Sequence, residues 1–249
     1  MSVITCARIA LRLVLVALWV VFGLFCVGLV YRVLTLSGRA KLNRFWSAQL
    51  MRLCGIKVVV RGQPRLEGPV LLAANHVSWI DIFILNSVRA SWFIAKSEVR
   101  AWPLIGSLAA GAGTIFIDRG QRRAIQAASE SVKICFDRGA SVGLFPEGTT
   151  SEGDSVRPFH ASLFEPARAA GVPIQPVALR FLHQGRRSAL AAFVGEESLA
   201  TNLLRILGAR GLAVEVEFLP PVATHTPDGS LQTRSEISNQ VYQAIAEQL

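Results

Sequence analysis

Residues 75–83 read "NHVSWIDIF" and set one histidine, His76, five positions before one aspartate, Asp81. A histidine has an unperturbed pKa near ~6.5 and can take a proton at neutral pH, which suits general base catalysis on an alcohol. A carboxylate on the other ring nitrogen would fix the tautomer and stabilise the imidazolium. If the attacking hydroxyl belongs to a substrate, the protein needs no serine or cysteine nucleophile. Five residues turn roughly 140° on a continuous helix, so the pair shares a face only if a helix begins between them. Ser78 as N-cap with Asp81 at the third helical position gives a capping box, S-x-x-D. The same pattern also suits a plain helix start beside a core histidine, and the stretch alone leaves both readings open.

Two further loops carry unusual side chains. "FIDRG" holds Arg119, a residue type shaped for bidentate phosphate contact, or for a surface ion pair with Asp118. "FPEGTTSEGD" holds Glu147 and Gly148, where glycine permits uncommon backbone angles, followed by the hydroxyls of Thr149, Thr150 and Ser151. A carboxylate among donors at a strand end could clamp a substrate.

The elements that must position these loops are legible from periodicity. From residue 56 on, short β-type runs alternate with helical ones. "IKVVV", "PVLLAAN", "SWFIA", "TIFI", "SVGLF", "IQPVAL", "LAAFV" and "AVEVEF" read as strands, and residues 79–88, 122–138, 162–170, 198–207 and 230–248 as helices. This predicts an α/β domain with a largely parallel central sheet flanked by helices, and places all three loops on one edge of it.

The first quarter of the chain is different. Residues 1–66 contain ten Lys or Arg and no Asp or Glu, whereas the remainder has a net charge of −1. Residues 13–31 form a 19-residue uncharged apolar run, about the length that crosses a bilayer core. Basic residues on both sides of a greasy segment favour a lipid surface and argue against nucleic acid. The run is longer than a usual signal core and lacks an A-x-A-like site, so it is expected to stay as an anchor, either spanning or lying in one leaflet. Residues 39–55 repeat apolar side chains at helical spacing (Leu42, Phe45, Trp46, Leu50, Leu53, Cys54), as either an interfacial helix or one packed on the body. The expected division is therefore residues 1–55, an N-terminal membrane-associating helical hairpin, and residues 56–249, the α/β domain. The four cysteines are scattered without C-x-x-C spacing, and the four histidines (His76, His160, His183, His225) lack metal-ligand spacing.

Taken together, the loops resemble the glycerolipid acyltransferase family, whose best-known members are the 1-acylglycerol-3-phosphate O-acyltransferases. "NHVSWID" resembles its N-H-x-S-x-x-D block, "GTIFIDR" its second, "FPEGTTS" its third and "VPIQPVAL" its fourth, in order, over residues 39–180. The resemblance implies acyl transfer from acyl-coenzyme A or acyl carrier protein to a lysophospholipid hydroxyl, most directly 1-acyl-sn-glycerol-3-phosphate giving phosphatidic acid. It implies His76 as base, Asp81 as its partner, and Arg119 on the acceptor phosphate. Asn75, Ser78, Glu147, Gly148, Thr149 and Pro173 are then expected to bind or line the substrate site. It implies no metal or bound cofactor, and an inner-membrane protein working at the cytoplasmic face. One departure stands out. Many members carry a basic residue and a glycine after the third block, where this chain has "RPFHASLF", with His160 at the basic position. That leaves lyso-ornithine lipid, or another lysolipid, as an alternative acceptor.

Two rivals come from other classes. "GASVG" matches G-x-S-x-G around Ser141, but a nucleophile elbow runs from strand to helix and this stretch runs from helix to strand. A non-catalytic membrane module would have no need of the His76, Asp81, Arg119 and Glu147 set.

Overall fold

The computed structural model describes residues 3–101, 105–117 and 122–249. An eight-stranded sheet forms its centre, ordered β1-β8-β6-β2-β5-β3-β4 with β7 hydrogen-bonded to β6. The strands are β1 (Ile56–Gly62), β2 (Leu71–Ala74), β3 (Trp92–Lys96), β4 (Ile115–Ile117), β5 (Val142–Leu144), β6 (Ile174–His183), β7 (Arg186–Arg187) and β8 (Leu212–Phe218). All pairings are parallel except those of β6 with β7 and β8. The helices are α1 (Val3–Gly28), α2 (Leu36–Cys54), α3 (Asp81–Val88), α4 (Ile105–Gly111), α5 (Arg122–Asp137), α6 (Glu165–Ala169), α7 (Leu199–Gly208) and α8 (Arg234–Ala246).

β2 is buried at every position because it is central and covered on both faces, as parallel strands are. Leu72 and Ala74 face one core, shared with Trp46, Leu50 and Met51 of α2, Ile84 and Leu85 of α3, and Ile206 and Leu207 of α7. Leu71 and Ala73 face the other, shared with Val132 and Phe136 of α5 and Ile237 and Val241 of α8. The side chains of α2 thus belong to the sheet's own core, and residue 55 marks a change of composition rather than of packing.

Several predicted elements move. Residues 190–194, "LAAFV", form no strand: the Phe193 N–H goes to the Val77 carbonyl at 2.9 Å, crossing the loop after β2 instead of joining a ladder. α8 starts at Arg234, not Ser230, because Thr233 and Glu236 form a reciprocal capping box that fixes the first turn there. The helix read over 162–170 is a 3-10 turn, Ala161–Phe164, followed by short α6.

α1 is 26 residues long, about 39 Å, and its apolar stretch has a mean hydropathy of 2.9 with only 17% of the most apolar window buried. It nevertheless touches the body along its length. Near its start Arg8 and Arg12 donate to the carbonyls of Leu207, Gly208 and Ala209 at 2.6–2.9 Å, satisfying acceptors that a helix C-terminus leaves open. Midway, the Trp19 and Trp46 indoles each donate to the other's backbone carbonyl, at 3.0 and 3.1 Å. Gly23 makes that approach possible, since a Cβ there would fall 2.7 Å from the Trp46 nitrogen.

Candidate active site

The chain leaves β2 at Ala74 and immediately turns out of the sheet. Asn75 makes the exit possible. Its buried amide accepts the Leu179 N–H at 2.7 Å and donates to the Leu179 carbonyl at 3.1 Å, doing for β6 what one more β2 residue would have done. Asn75 was expected to bind substrate; its side chain is instead spent on the fold.

His76 follows. Its Nδ1 stands 2.8 Å from Asp81 Oδ2, and the same oxygen accepts the backbone N–H groups of Val77 at 2.7 Å and Ser78 at 2.9 Å. Asp81 is completely buried, and these three donors meet on its Oδ2. An oxygen already holding two N–H donors can only accept from the ring. The pair therefore fixes the tautomer with the proton on Nδ1 and the lone pair on Nε2, on the side of the ring away from the carboxylate. The histidine side chain is 19% exposed, enough to meet a substrate.

The expected helix start is corrected by this geometry. α3 begins at Asp81, not Ser78, and Ser78 Oγ caps nothing. Half of the expected box is present, since Asp81 reaches back to the Ser78 N–H; the Ser78 hydroxyl half is not. Among the described residues, Ser78 Oγ and Asp81 Oδ1 are buried without a hydrogen-bond partner.

The loop after β5 closes around the histidine. The Phe145 ring stacks on the imidazole, with centroids 4.0 Å apart and planes at 11°. Glu147 is 4% exposed and accepts the His76 N–H at 2.7 Å and the Arg157 N–H at 3.0 Å. Burial pushes its carboxyl above the ordinary value, and the two backbone N–H groups pull in the opposite direction. Ser151 donates to the His76 carbonyl from its backbone at 2.8 Å and from its hydroxyl at 3.3 Å. Gly148 has φ +72°, the left-handed turn its glycine permits, and is half-buried, while Thr149 is exposed. The Thr150 hydroxyl bonds the Phe193 carbonyl.

The structure thus brings His76, Asp81 and Glu147 together, and gives Glu147 a backbone-holding task in place of the expected substrate contact. Pro173 does not join them. It precedes β6 beside Val70 and Leu71, whereas His76 lies beyond the other end of β2, past about 13 Å of strand. Arg119 lies outside the described residues. The sequence names Ser151 only as one of three hydroxyls in its loop and does not single out Phe145; both lie inside the third block, but nothing in their types shows that they touch a histidine about 70 residues away. Ser141 lies elsewhere: it precedes β5 at the opposite edge, buried and bonded to Arg89 at 2.8 and 3.0 Å. Among the described residues no group of three or more His, Cys, Asp or Glu side chains is placed to hold a metal ion.

Residues 55–180, which contain every part of this arrangement except Phe193, match the Acyltransferase family. The chain belongs to the acyltransferase family. It is similar to a lyso-ornithine lipid O-acyltransferase of Pseudomonas aeruginosa, 40% identical over 83% of this chain and 78% of the relative. It is also similar to a 1-acyl-sn-glycerol-3-phosphate acyltransferase of Neisseria gonorrhoeae, 42% identical over 64% of this chain and 63% of the relative. The fold of this acyltransferase matches the crystal structure of the 1-acyl-sn-glycerophosphate acyltransferase PlsC of Thermotoga maritima, with a TM-score of 0.62 over 95% of both chains at 22% identity.

Proposed function

We propose that this acyltransferase moves a fatty acyl group from a coenzyme A or acyl-carrier-protein thioester to the free hydroxyl of a lysolipid, with His76 as general base. The observation that carries the reading is the His76–Asp81 contact of 2.8 Å on a histidine side chain that is 19% exposed. Nε2 takes the hydroxyl proton as the oxygen attacks the thioester carbonyl. The C–S bond then breaks, and the imidazolium returns the proton to the leaving thiolate, giving ester and free thiol. Asp81 stabilises the imidazolium between the two steps. Beyond the two substrates the reaction uses no metal or bound cofactor. Gly148 and Thr149, at the open rim, border the acceptor, and Arg119 binds its phosphate; the role of Arg119 rests on its motif position alone.

The acceptor carried over from the family resemblance is 1-acyl-sn-glycerol-3-phosphate. A second reading, lyso-ornithine lipid, is supported by His160, which is exposed where many members carry a permanent cation, and by the long alignment to the Pseudomonas enzyme. The enzyme works on a membrane. One side of α1 is held by the body while Leu11, Val14, Leu18, Val21, Phe22 and Phe25 are exposed on it. A helix fastened to the body at both its start and its middle supports insertion into one leaflet over an isolated span; the cytoplasmic face of the inner membrane is proposed because acyl thioesters are made on that side. The test is a panel of lysophosphatidate, lyso-ornithine lipid and lysophosphatidylglycerol, each with palmitoyl-coenzyme A and palmitoyl carrier protein. Diacylated product from at least one pair is expected; none from any pair contradicts the reading.

A further inference from the structure

We propose that Asn202, on α7 and outside the segment that matches the family, is a positioning residue for the His76–Asp81 pair; the inference rests on the general-base reading above. Asn202 is completely buried, and every polar atom of its amide is engaged. Its oxygen accepts the Trp79 indole N–H at 2.9 Å, and its nitrogen donates to the Ala192 carbonyl at 2.8 Å and to Glu197 at 2.9 Å. An indole is only a donor and a backbone carbonyl only an acceptor, so the amide orientation is dictated by its partners.

Both arms end on the catalytic loop. Trp79 lies between His76 and Asp81 in sequence, and its ring meets Phe83 edge-on at 6.1 Å, against the first turns of α3. The second arm runs through Ala192 to Phe193, whose N–H holds the Val77 carbonyl at 2.9 Å. Val77 is the residue whose own N–H reaches Asp81. The other loop residues are anchored by β6 through Asn75 and by the post-β5 loop through His76. Residues 77–79 are held instead from α7 through Trp79 and from the loop before it through Phe193. A buried network in which every group is paired holds one geometry strongly, and a shift near ~1 Å in a catalytic group can cost about 10²-fold in rate.

The experiment compares Trp79→Phe, which keeps an aromatic ring and removes one N–H, with Asn202→Leu, which at similar volume removes the bond to Trp79 and one of the two donors on the Ala192 carbonyl, Arg205 being the other. The full-length chain is assayed in mixed micelles with its best acceptor from the panel, rates being normalised to folded protein from thermal melts. The expected result is a kcat lowered about 10-fold in Trp79→Phe and about 100-fold in Asn202→Leu, with KM for both substrates within ~2-fold of wild type. Binding sites that are not moved predict that split; a merely structural residue lowers the folded fraction and leaves kcat per folded molecule alone. Should Asn202→Leu fail to fold, Trp79→Phe decides. His76→Ala is run beside them. If it is inactive while Trp79→Phe keeps wild-type kcat, Asn202 has no positioning role and the base assignment stands; if His76→Ala is active, the base assignment and this inference both fall.

Discussion

Glu147 and His76 are joined not through the imidazole but through the backbone: one carboxylate oxygen accepts the His76 N–H at 2.7 Å while the other accepts the Arg157 N–H at 3.0 Å. The third motif block is therefore a clamp on the first. Phe145 packs on the ring, Glu147 holds the N–H and Ser151 the carbonyl, so His76 is fixed on three sides before any substrate arrives.

Glu147→Ala leaves the part-buried His76 and Arg157 N–H groups without this acceptor, and is expected to lower the melting temperature and kcat together. Glu147→Gln retains one acceptor and is expected to lose less. The pH dependence has a definite sign. Because burial raises the folded-state pKa above 4.5, the folded state holds this proton more tightly than the unfolded chain. The Glu147 contribution is thus fully present below about 4.5 and falls as pH rises through the folded value. Denaturant melts from acid to neutral pH should show the wild-type advantage over Glu147→Gln shrinking with increasing pH; an advantage that grows would contradict the burial argument.

Asp81 separates charge from geometry. In Asp81→Asn the Val77 and Ser78 N–H groups select the amide oxygen for the shared position, so the histidine keeps its tautomer and loses only the carboxylate's charge. Its kcat is expected to fall about 10²-fold with the fold intact, within the range typical of proton-transfer assistance. Asp81→Ala removes the acceptor of three donors and is expected to fall further and to melt earlier, by an amount equivalent to about 2–4 kcal/mol. Equal kinetics in the two variants would mean that the tautomer is not what Asp81 controls.

Phe145→Leu keeps the end of β5 apolar but removes the stacked face. Aromatic pairs of this kind contribute about 0.5–1.5 kcal/mol beyond area burial, so kcat should drop several-fold with KM little changed. Steady-state kinetics check this, and an unchanged kcat would show that the ring fills space without holding the imidazole.

Much of this was legible beforehand, and what was not has a physical cause. His76 and Asp81 could be paired because their partnership is local, five residues apart with a turn between. The parallel sheet followed from short apolar runs alternating with helical ones. Asn75, by contrast, reads as a polar residue beside a catalytic one, and only the position of β6 shows its amide completing a ladder. Pro173 lies within the fourth block yet at the wrong end of its strand, since a motif records order along the chain and not which edge of the sheet a residue reaches. Residues 190–194 have a strand's composition, but their hydrogen bonds go to a loop, which periodicity cannot reveal.

Arg12 ties α1 to the body. It donates to the Leu207 and Ala209 carbonyls at 2.9 Å and covers Gly55, whose φ of +76° ends α2. Arg12→Ala opens two acceptors at the end of α7 and is expected to cost about 1–3 kcal/mol. If the exposed apolar side of α1 carries the proposed membrane contact, binding to vesicles should persist. Melting and vesicle sedimentation measured together check both halves; lost vesicle binding would show that docking of α1, and not its apolar surface, carries the membrane contact.

The central claim is that His76 is the base. The decisive measurement is kcat for acyl transfer by full-length His76→Ala in mixed micelles, with its melt recorded alongside. The expected result is a folded protein whose kcat is lower by about 10²- to 10⁴-fold; a folded variant transferring acyl groups at close to the wild-type rate would contradict the account.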